Sequence, residues 1–408
     1  MLRFRLKKTG ILFTGILLAV SALFCAAAGF CDALIPNRIV VYTGERADRL
    51  LPAFVSLEEE EVLEAAVWPD RDAPLYTEIP VRAKLFGLLP FKTVRLGVVE
   101  PTVLSPGGMP FGVRLYTDGV LVVGISAVTT EAGEVSPANA AQIRTRDVLT
   151  SIDGVKVFST EEVTAILENA GGRTLRVTLR RGERELETAL TPVCSTEGVY
   201  RAGIWIRDST AGIGTVTYID PETMAFAGLG HGICDVDTGE LMPLRRATVS
   251  DVTLNGILRG KSGMPGELRG LFGAEIIGSL DRNTVCGVFG RFSRLPEDGL
   301  SEALPIAIGR EVEDGAAVIR CAVDGSLHDY AVHITRLRDD DSPTKNFVLR
   351  VSDPALLRLT GGIVQGMSGS PVLQNGRLIG AVTHVMINDP TKGYGIYVEN
   401  MLRANNPQ

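Results

Sequence analysis

Histidine is scarce in this chain, with four residues among 408. Any imidazole chemistry must therefore fall to His231, His328, His333 or His384. Cysteine is scarce too, at six residues. Cys25 and Cys31 lie in an apolar N-terminal run, and Cys194, Cys234, Cys286 and Cys321 are spread irregularly. The absence of any Cys-x-x-Cys argues against a structural zinc site, and so few thiols make no disulfide scaffold. They read as small hydrophobes, and neither metal nor cofactor is expected. Aromatic residues make up 6% of the chain, and the net charge of −7 comes from interspersed charges of both signs. No basic stripe with interleaved aromatics exists, which argues against nucleic acid as a partner. What the chain has in plenty is glycine, 45 residues, as suits a turn-rich, mainly β protein of two or three domains.

The N-terminus sets the expected compartment. Arg3, Arg5, Lys7 and Lys8 precede an uncharged run from Ile11 to Cys31. That run is long enough to span a bilayer as a helix, with its basic flank in the cytoplasm and everything after Asp32 outside. Two readings stay open: a single-pass anchor, favoured by length, and a signal peptide cleaved near Ala26-Ala27-Ala28-Gly29. Phenylalanine precedes both Cys25 and Cys31, which argues against a lipoprotein signal. Residues 32–105 read as a stalk followed by short strands. The acidic run Glu58–Glu61 leads into Val62–Ala66 as a solvated tether, and Val81–Val99 gives two strands around Gly87 and Pro90.

Residues 106–193 have the order of a PDZ domain and resemble those attached to exported bacterial proteases. Gly107-Gly108-Met109-Pro110-Phe111-Gly112-Val113 reads as a glycine-rich loop entering a strand, so Pro110, Phe111, Gly112 and Val113 are the expected peptide-binding loop. A capped helix begins at Ser136-Pro137, a strand ends in the Asp153-Gly154 turn, and an amphipathic helix runs from Thr160 to about Asn169. Gln142 and Arg146 stand where that pattern usually has glycine. Strand addition of an extended peptide is the expected binding mode.

Residues 194–408 read as an all-β domain of short strands, with Gly366-Met367-Ser368-Gly369-Ser370-Pro371 as its most informative stretch. Glycines bracketing a serine permit a tight turn that pushes the hydroxyl outward. The same turn aims the Gly366 and Ser368 amides at one point, as an oxyanion hole requires. Pro371–Leu373 and Leu378–Val382 around Gln374-Asn375-Gly376-Arg377 read as a hairpin, with Ser368 at its lip. Gly-x-Ser-Gly also occurs in ordinary turns, so the serine needs a base. His231, in Gly230-His231-Gly232, has the best context. His328 and His333 flank a plain strand, and His384 is expected to point along its sheet. The orienting carboxylate stays open. Asp353 lies before a proline in the order His231, Asp353, Ser368, but Asp235 and Asp237 also compete. The latter two faintly suggest a calcium loop whose further ligands are missing.

Nearly the whole chain resembles the stage IV sporulation protein B peptidases of endospore-forming bacteria. The matching motifs are Arg207–Thr215, Gly230–Asp235, Pro265–Leu268, Val364–Pro371, Gly380–Val385 and Asn388–Pro390. The resemblance implies a trypsin-like double β-barrel with His231 as base, Asp353 as third member and Ser368 as nucleophile. It also implies a protein of the forespore membrane, with its catalytic domain in the space between the two spore membranes. There it would cleave itself and cut a membrane complex that restrains an intramembrane metalloprotease, so that a sigma factor matures. A general envelope quality-control protease and an inactive PDZ adaptor are the alternatives.

Overall fold

The structure is a computed structural model that describes residues 28–58, 75–295, 300–337 and 342–406, with 18, 19, 21, 22, 25 and 26 of the leading segment. Most of the Ile11–Cys31 run, and the tether from Glu59 to Ala66, lie outside the described residues. Among the described residues no helix is long and apolar enough to cross a membrane. The chain forms two compact units, one up to Thr102 and a larger one from Val103.

The first unit has a core of its own where a stalk was expected. Tyr76–Leu85 and Leu89–Val99 pair as an antiparallel hairpin, turning through Phe86 and Gly87, both at positive φ. Arg38–Tyr42 adds in parallel on one side and Val55–Leu57 antiparallel on the other. Alternation puts Ile39, Val41, Val55, Val81, Ala83, Val94 and Leu96 in one buried cluster.

Two rings of strands build the larger unit. In the first, pairing runs from Pro110–Ile125 through Leu244–Leu258, Glu267–Thr284, Gly287–Phe292, Ala225–Gly228 and Ile204–Ile219, then back to Pro110–Ile125. The second is a closed barrel of Gly315–Cys321, His328–Arg336, Phe347–Val351, Lys392–Tyr397, Arg377–Val385 and Pro371–Gln374. Closure of the second ring pairs each of its strands on both sides, which suits a protein this rich in short strands. The sequence-based hairpin is present: Pro371–Gln374 turns through Asn375 and Gly376, at φ 52° and 73°, into Arg377–Val385.

The PDZ-like portion grows out of the first ring. Val120 and Leu121 of the long strand pair with Val148–Ile152, which continues to Leu175–Arg181 and Arg184–Leu190. The helix Thr160–Asn169 opens with a Ser159–Glu162 capping box and buries Val163 and Leu167, one turn apart. Gln142 and Arg146 adopt φ of 56° and 80°, so the backbone keeps the left-handed turns that glycine would favour.

One boundary differs from the sequence reading. The segment Pro110–Val113 is a strand of the first ring, and Phe111 is 1% exposed, packed edge-on to Phe226 at 5.8 Å. Burying such a ring contributes roughly 1.5–3 kcal/mol, which opposes its release as a peptide-binding loop. The 106–193 span is therefore shared: its first strand belongs to the ring core with Val113, Leu115, Val216, Val249 and Val288.

Candidate active site

Ser368 sits in a turn whose flanking glycines, Gly366 and Gly369, have φ of 97° and 96°. At Gly369 a Cβ would meet the backbone of Thr215 and Leu229, so glycine is required both by conformation and by space. The strand Ile204–Ile219 of the first ring clamps this turn. Thr215 N donates to Ser368 O at 2.9 Å, Thr215 Oγ1 to Gly366 O at 2.7 Å and Thr217 Oγ1 to Gly369 O at 2.8 Å. Met367 is fully buried beneath the turn, so no carboxylate stands there for an N-terminal ammonium to pair with. The Gly369 amide donates to Val382 O, whereas those of Gly366 and Ser368 meet no acceptor among the described residues.

His231 follows two left-handed residues, Leu229 at φ 67° and Gly230 at φ 66°. A branched residue held there stores strain of order 1–2 kcal/mol, as functional turns often do. His231 Nδ1 lies 2.8 Å from Gly232 O and so carries its proton toward that carbonyl, leaving Nε2 as the basic nitrogen. Burial lowers the His231 pKa below its ordinary value, and the bond to Gly232 opposes this in part. The imidazole is accordingly neutral near pH 7. Asn283 fixes the loop behind it, accepting from Ile233 N at 2.8 Å and donating to the Ile233 and Met242 carbonyls at 2.9 Å.

His231 and Ser368 line one cleft of about 430 Å³, together with Ile213, Pro265, Val364 and Val385. Among the described residues no acidic or basic side chain other than histidine appears in its lining. His384 lines it as well, its ring 5.0 Å from that of His231. Sequence reasoning turned His384 along its sheet. A register shift between Val382 and His384 re-aims it into the cleft, and a bulge is not readable from residue types. Although His384 is exposed at the rim, desolvation of its ring, then His231 and Lys345, push its pKa down to about 4. His328 and His333 lie exposed on the outer face of His328–Arg336, away from this cleft.

Asp353 is placed elsewhere. It caps the helix Pro354–Thr360, Oδ1 accepting from Ala355 N at 2.7 Å and Leu356 N at 3.2 Å. Its Oδ2 lies 3.4 Å from Ala331 N, and Asp353 does not line the cleft. The helix it starts leads into Ile363–Gly366, one wall of the cleft. Asp235 is buried and accepts from the Asp237 and Thr238 amides and the Thr238 hydroxyl, holding its own loop. Of the outer cysteines, Cys286 and Cys321 are buried as expected of small hydrophobes, but Cys194 and Cys234 are exposed. Cys234 lines the cleft, where burial and then Glu240 and Asp235 raise its thiol pKa.

A second concavity, of about 580 Å³, lies between the helix Thr160–Asn169 (Thr164, Leu167) and the strand start Gly203–Ile206. Among the described residues Ile204–Arg207 pairs on one side only, with Leu121–Ile125. An unpaired strand edge beside a helix is the geometry that strand addition needs, and here Gly203–Ile206 supplies it instead of Pro110–Val113.

Solved structures similar to this chain include the Rv3671c protease of M. tuberculosis in its active form. It shares 16% identity over 49% of this chain and 76% of that one, with a TM-score of 0.27. A serine-to-alanine mutant of Rv3671c in an inactive form shares 14% over 48% and 84%, with a TM-score of 0.26. The PDZ domain of the SdrC-like protein of Listeria monocytogenes shares 21% over 22% and 87%, with a TM-score of 0.18. No curated protein matches the chain. A PDZ domain family matches residues 128–181. The SpoIVB peptidase S55 family matches residues 198–402, the half of the chain that carries both His231 and Ser368, and the protein belongs to that family of serine peptidases.

Proposed function

We propose that the chain is a membrane-anchored sporulation endopeptidase in which His231 and Ser368 carry out acyl transfer. The observation that carries the reading is their shared cleft, with the Gly366 and Ser368 amides left without acceptors. In the resting geometry the Ser368 hydroxyl donates to Thr383 O at 2.7 Å. Rotation about χ1 brings Oγ toward the cleft, where neutral His231 takes its proton through Nε2 as Oγ attacks a peptide carbonyl. The Gly366 and Ser368 amides receive the oxyanion, a contribution worth about 2.7–4 kcal/mol per donor in such sites. His231 then returns the proton to the leaving amine.

The Gly232 carbonyl holds the Nδ1 proton in this arrangement, the place that the family resemblance gives to Asp353. Asp353 instead supports the cleft wall through its helix. Two six-stranded rings with the site in one cleft favour the trypsin-like double-barrel reading. A mostly apolar lining, without Asp, Glu, Lys or Arg among the described residues, favours substrates that present small or apolar side chains. Self-cleavage, action on a membrane complex controlling an intramembrane metalloprotease, and residence at the forespore membrane follow from the resemblance.

Expression of the full-length chain in membranes, followed by intact mass over time beside Ser368→Ala, tests the reading. Trimming in the parent alone supports a self-cleaving endopeptidase. An uncut parent that still rescues a sporulation defect as well as Ser368→Ala does favours the adaptor.

A further inference from the structure

Two long strands cross from the PDZ portion into the first ring, and both are irregular at the same level. In Ile204–Ile219 the pairing with Pro110–Ile125 shifts register between Arg207 and Ser209. On the opposite strand Thr117 Oγ1 lies 2.9 Å from Asp208 O and 2.6 Å from Gly119 O. Such breaks re-aim side chains. Here they aim Arg207 and Asp208 at different parts of the protein.

Arg207 reaches the loop that carries the base. Its guanidinium pairs with the Asp235 carboxylate through one nitrogen and with Asp237 Oδ2 at 2.8 Å through another. The Asp235 side chain is 0% exposed and lies four residues after His231, so an unpaired charge there would be costly. Asp208 reaches the PDZ helix instead. Its Oδ2 accepts from Thr160 N at 2.8 Å and lies 3.2 Å from Thr160 Oγ1, while Oδ1 accepts from Ser209 Oγ at 2.8 Å. Arg146 adds a parallel strut, 3.1 Å from Thr238 O and 3.3 Å from Glu240 on the same loop. Further along the same strand Thr215 and Thr217 clamp the Ser368 turn.

We propose that Arg207 is a positioning residue for the His231 loop, and that Asp208 beside it ties that position to the PDZ helix. The pair would make the site respond to the separation of the helix Thr160–Asn169 from the strand edge Gly203–Ile206. A guanidinium is suited to this because its planar fork serves two carboxylates at once, which an ammonium does less well. The inference rests on the serine-peptidase reading above.

The test uses the full-length protein and a fluorophosphonate probe, whose reaction rate reports Ser368 activation without any knowledge of the substrate. Labelling of the parent and none of Ser368→Ala establishes the underlying reading first. Arg207→Gln is then expected to slow labelling about 10- to 100-fold, the cost of a base displaced by about an ångström. Arg207→Lys should recover part of the rate. Asp235→Asn keeps the acceptors for its own turn and serves if Arg207→Gln does not fold; it should show the same loss. Asp208→Ala should also slow labelling, and the Arg207→Gln, Asp208→Ala double variant should react no more slowly than Arg207→Gln alone. Parent-like rates in folded Arg207→Gln and Asp235→Asn overturn the proposal. So do losses for the two sites that multiply in full, or a Lys variant no better than Gln.

Discussion

The rings of His231 and His384 face the same cleft with centroids 5.0 Å apart and planes inclined by 37°. Both imidazoles are held neutral near pH 7, because burial disfavours a proton on each, and at His384 the neighbouring His231 and Lys345 add to the effect. A base that resists protonation stays competent in mild acid. The acid limb of the pH dependence of labelling should therefore have its midpoint below the ordinary histidine value of about 6.5. A midpoint at or above that value would contradict the burial of His231.

The same depressed values act on stability. A histidine whose folded pKa lies below its unfolded one gives stability that is whole above about pH 6.5. That contribution declines as pH falls toward the folded value, about 4 for His384. Urea denaturation at pH 7 and pH 5 should show a smaller loss for His384→Gln than for the parent. Equal losses would mean that His384 titrates freely.

Gly369→Ala separates turn geometry from chemistry. A side chain at φ 96° costs about 1–2 kcal/mol, and its Cβ would press on the backbone of Thr215 and Leu229. Thermal unfolding should fall by several degrees and Ser368 labelling should be lost. A variant that labels at the parent rate would show that the turn is not what presents the hydroxyl.

For Asp353 the geometry gives an unequal pair of variants. Asp353→Asn keeps an acceptor for the Ala355 and Leu356 amides and should label within a few-fold of the parent. Asp353→Ala removes the cap and should cost about 1 kcal/mol of stability. A loss in Asp353→Asn as deep as in His231→Ala would place this carboxylate against the base during turnover.

Gln142 and Arg146 hold left-handed backbone at a cost that glycine would avoid. Gln142→Gly should thus stabilise the protein by up to about 1 kcal/mol. Arg146→Gly gains the same relief but loses the bonds to Thr238 and Glu240, so its net change should be near zero. Denaturant midpoints compare the two directly.

Much of the site was legible in the sequence because glycine placement encodes backbone conformation. Gly366 and Gly369 announced the Ser368 turn, Asn375-Gly376 the hairpin after it, and Gly230 the turn that carries His231. The amphipathic spacing over Thr160 to about Asn169 likewise announced its helix. What stayed hidden depends on pairing between distant segments. Phe111 looked like part of a binding loop because nothing local says that its strand completes a ring with Leu244–Leu258. His384 looked misdirected because a register shift leaves no residue signature. The clamp by Thr215 and Thr217 had a faint signal, two threonines on one face of a strand, without any hint of their target. The carboxylate question could not be closed by spacing, since Asp353, Asp235 and Asp237 are assigned their partners only by tertiary packing.

The most direct measurement is reaction of the full-length protein with a fluorophosphonate, followed by peptide mass mapping, beside Ser368→Ala and His231→Ala. The account expects a single adduct on Ser368 in the parent, none in Ser368→Ala and a rate reduced by orders of magnitude in His231→Ala. An adduct on another serine, or a His231→Ala protein that reacts as fast as its parent, would contradict it.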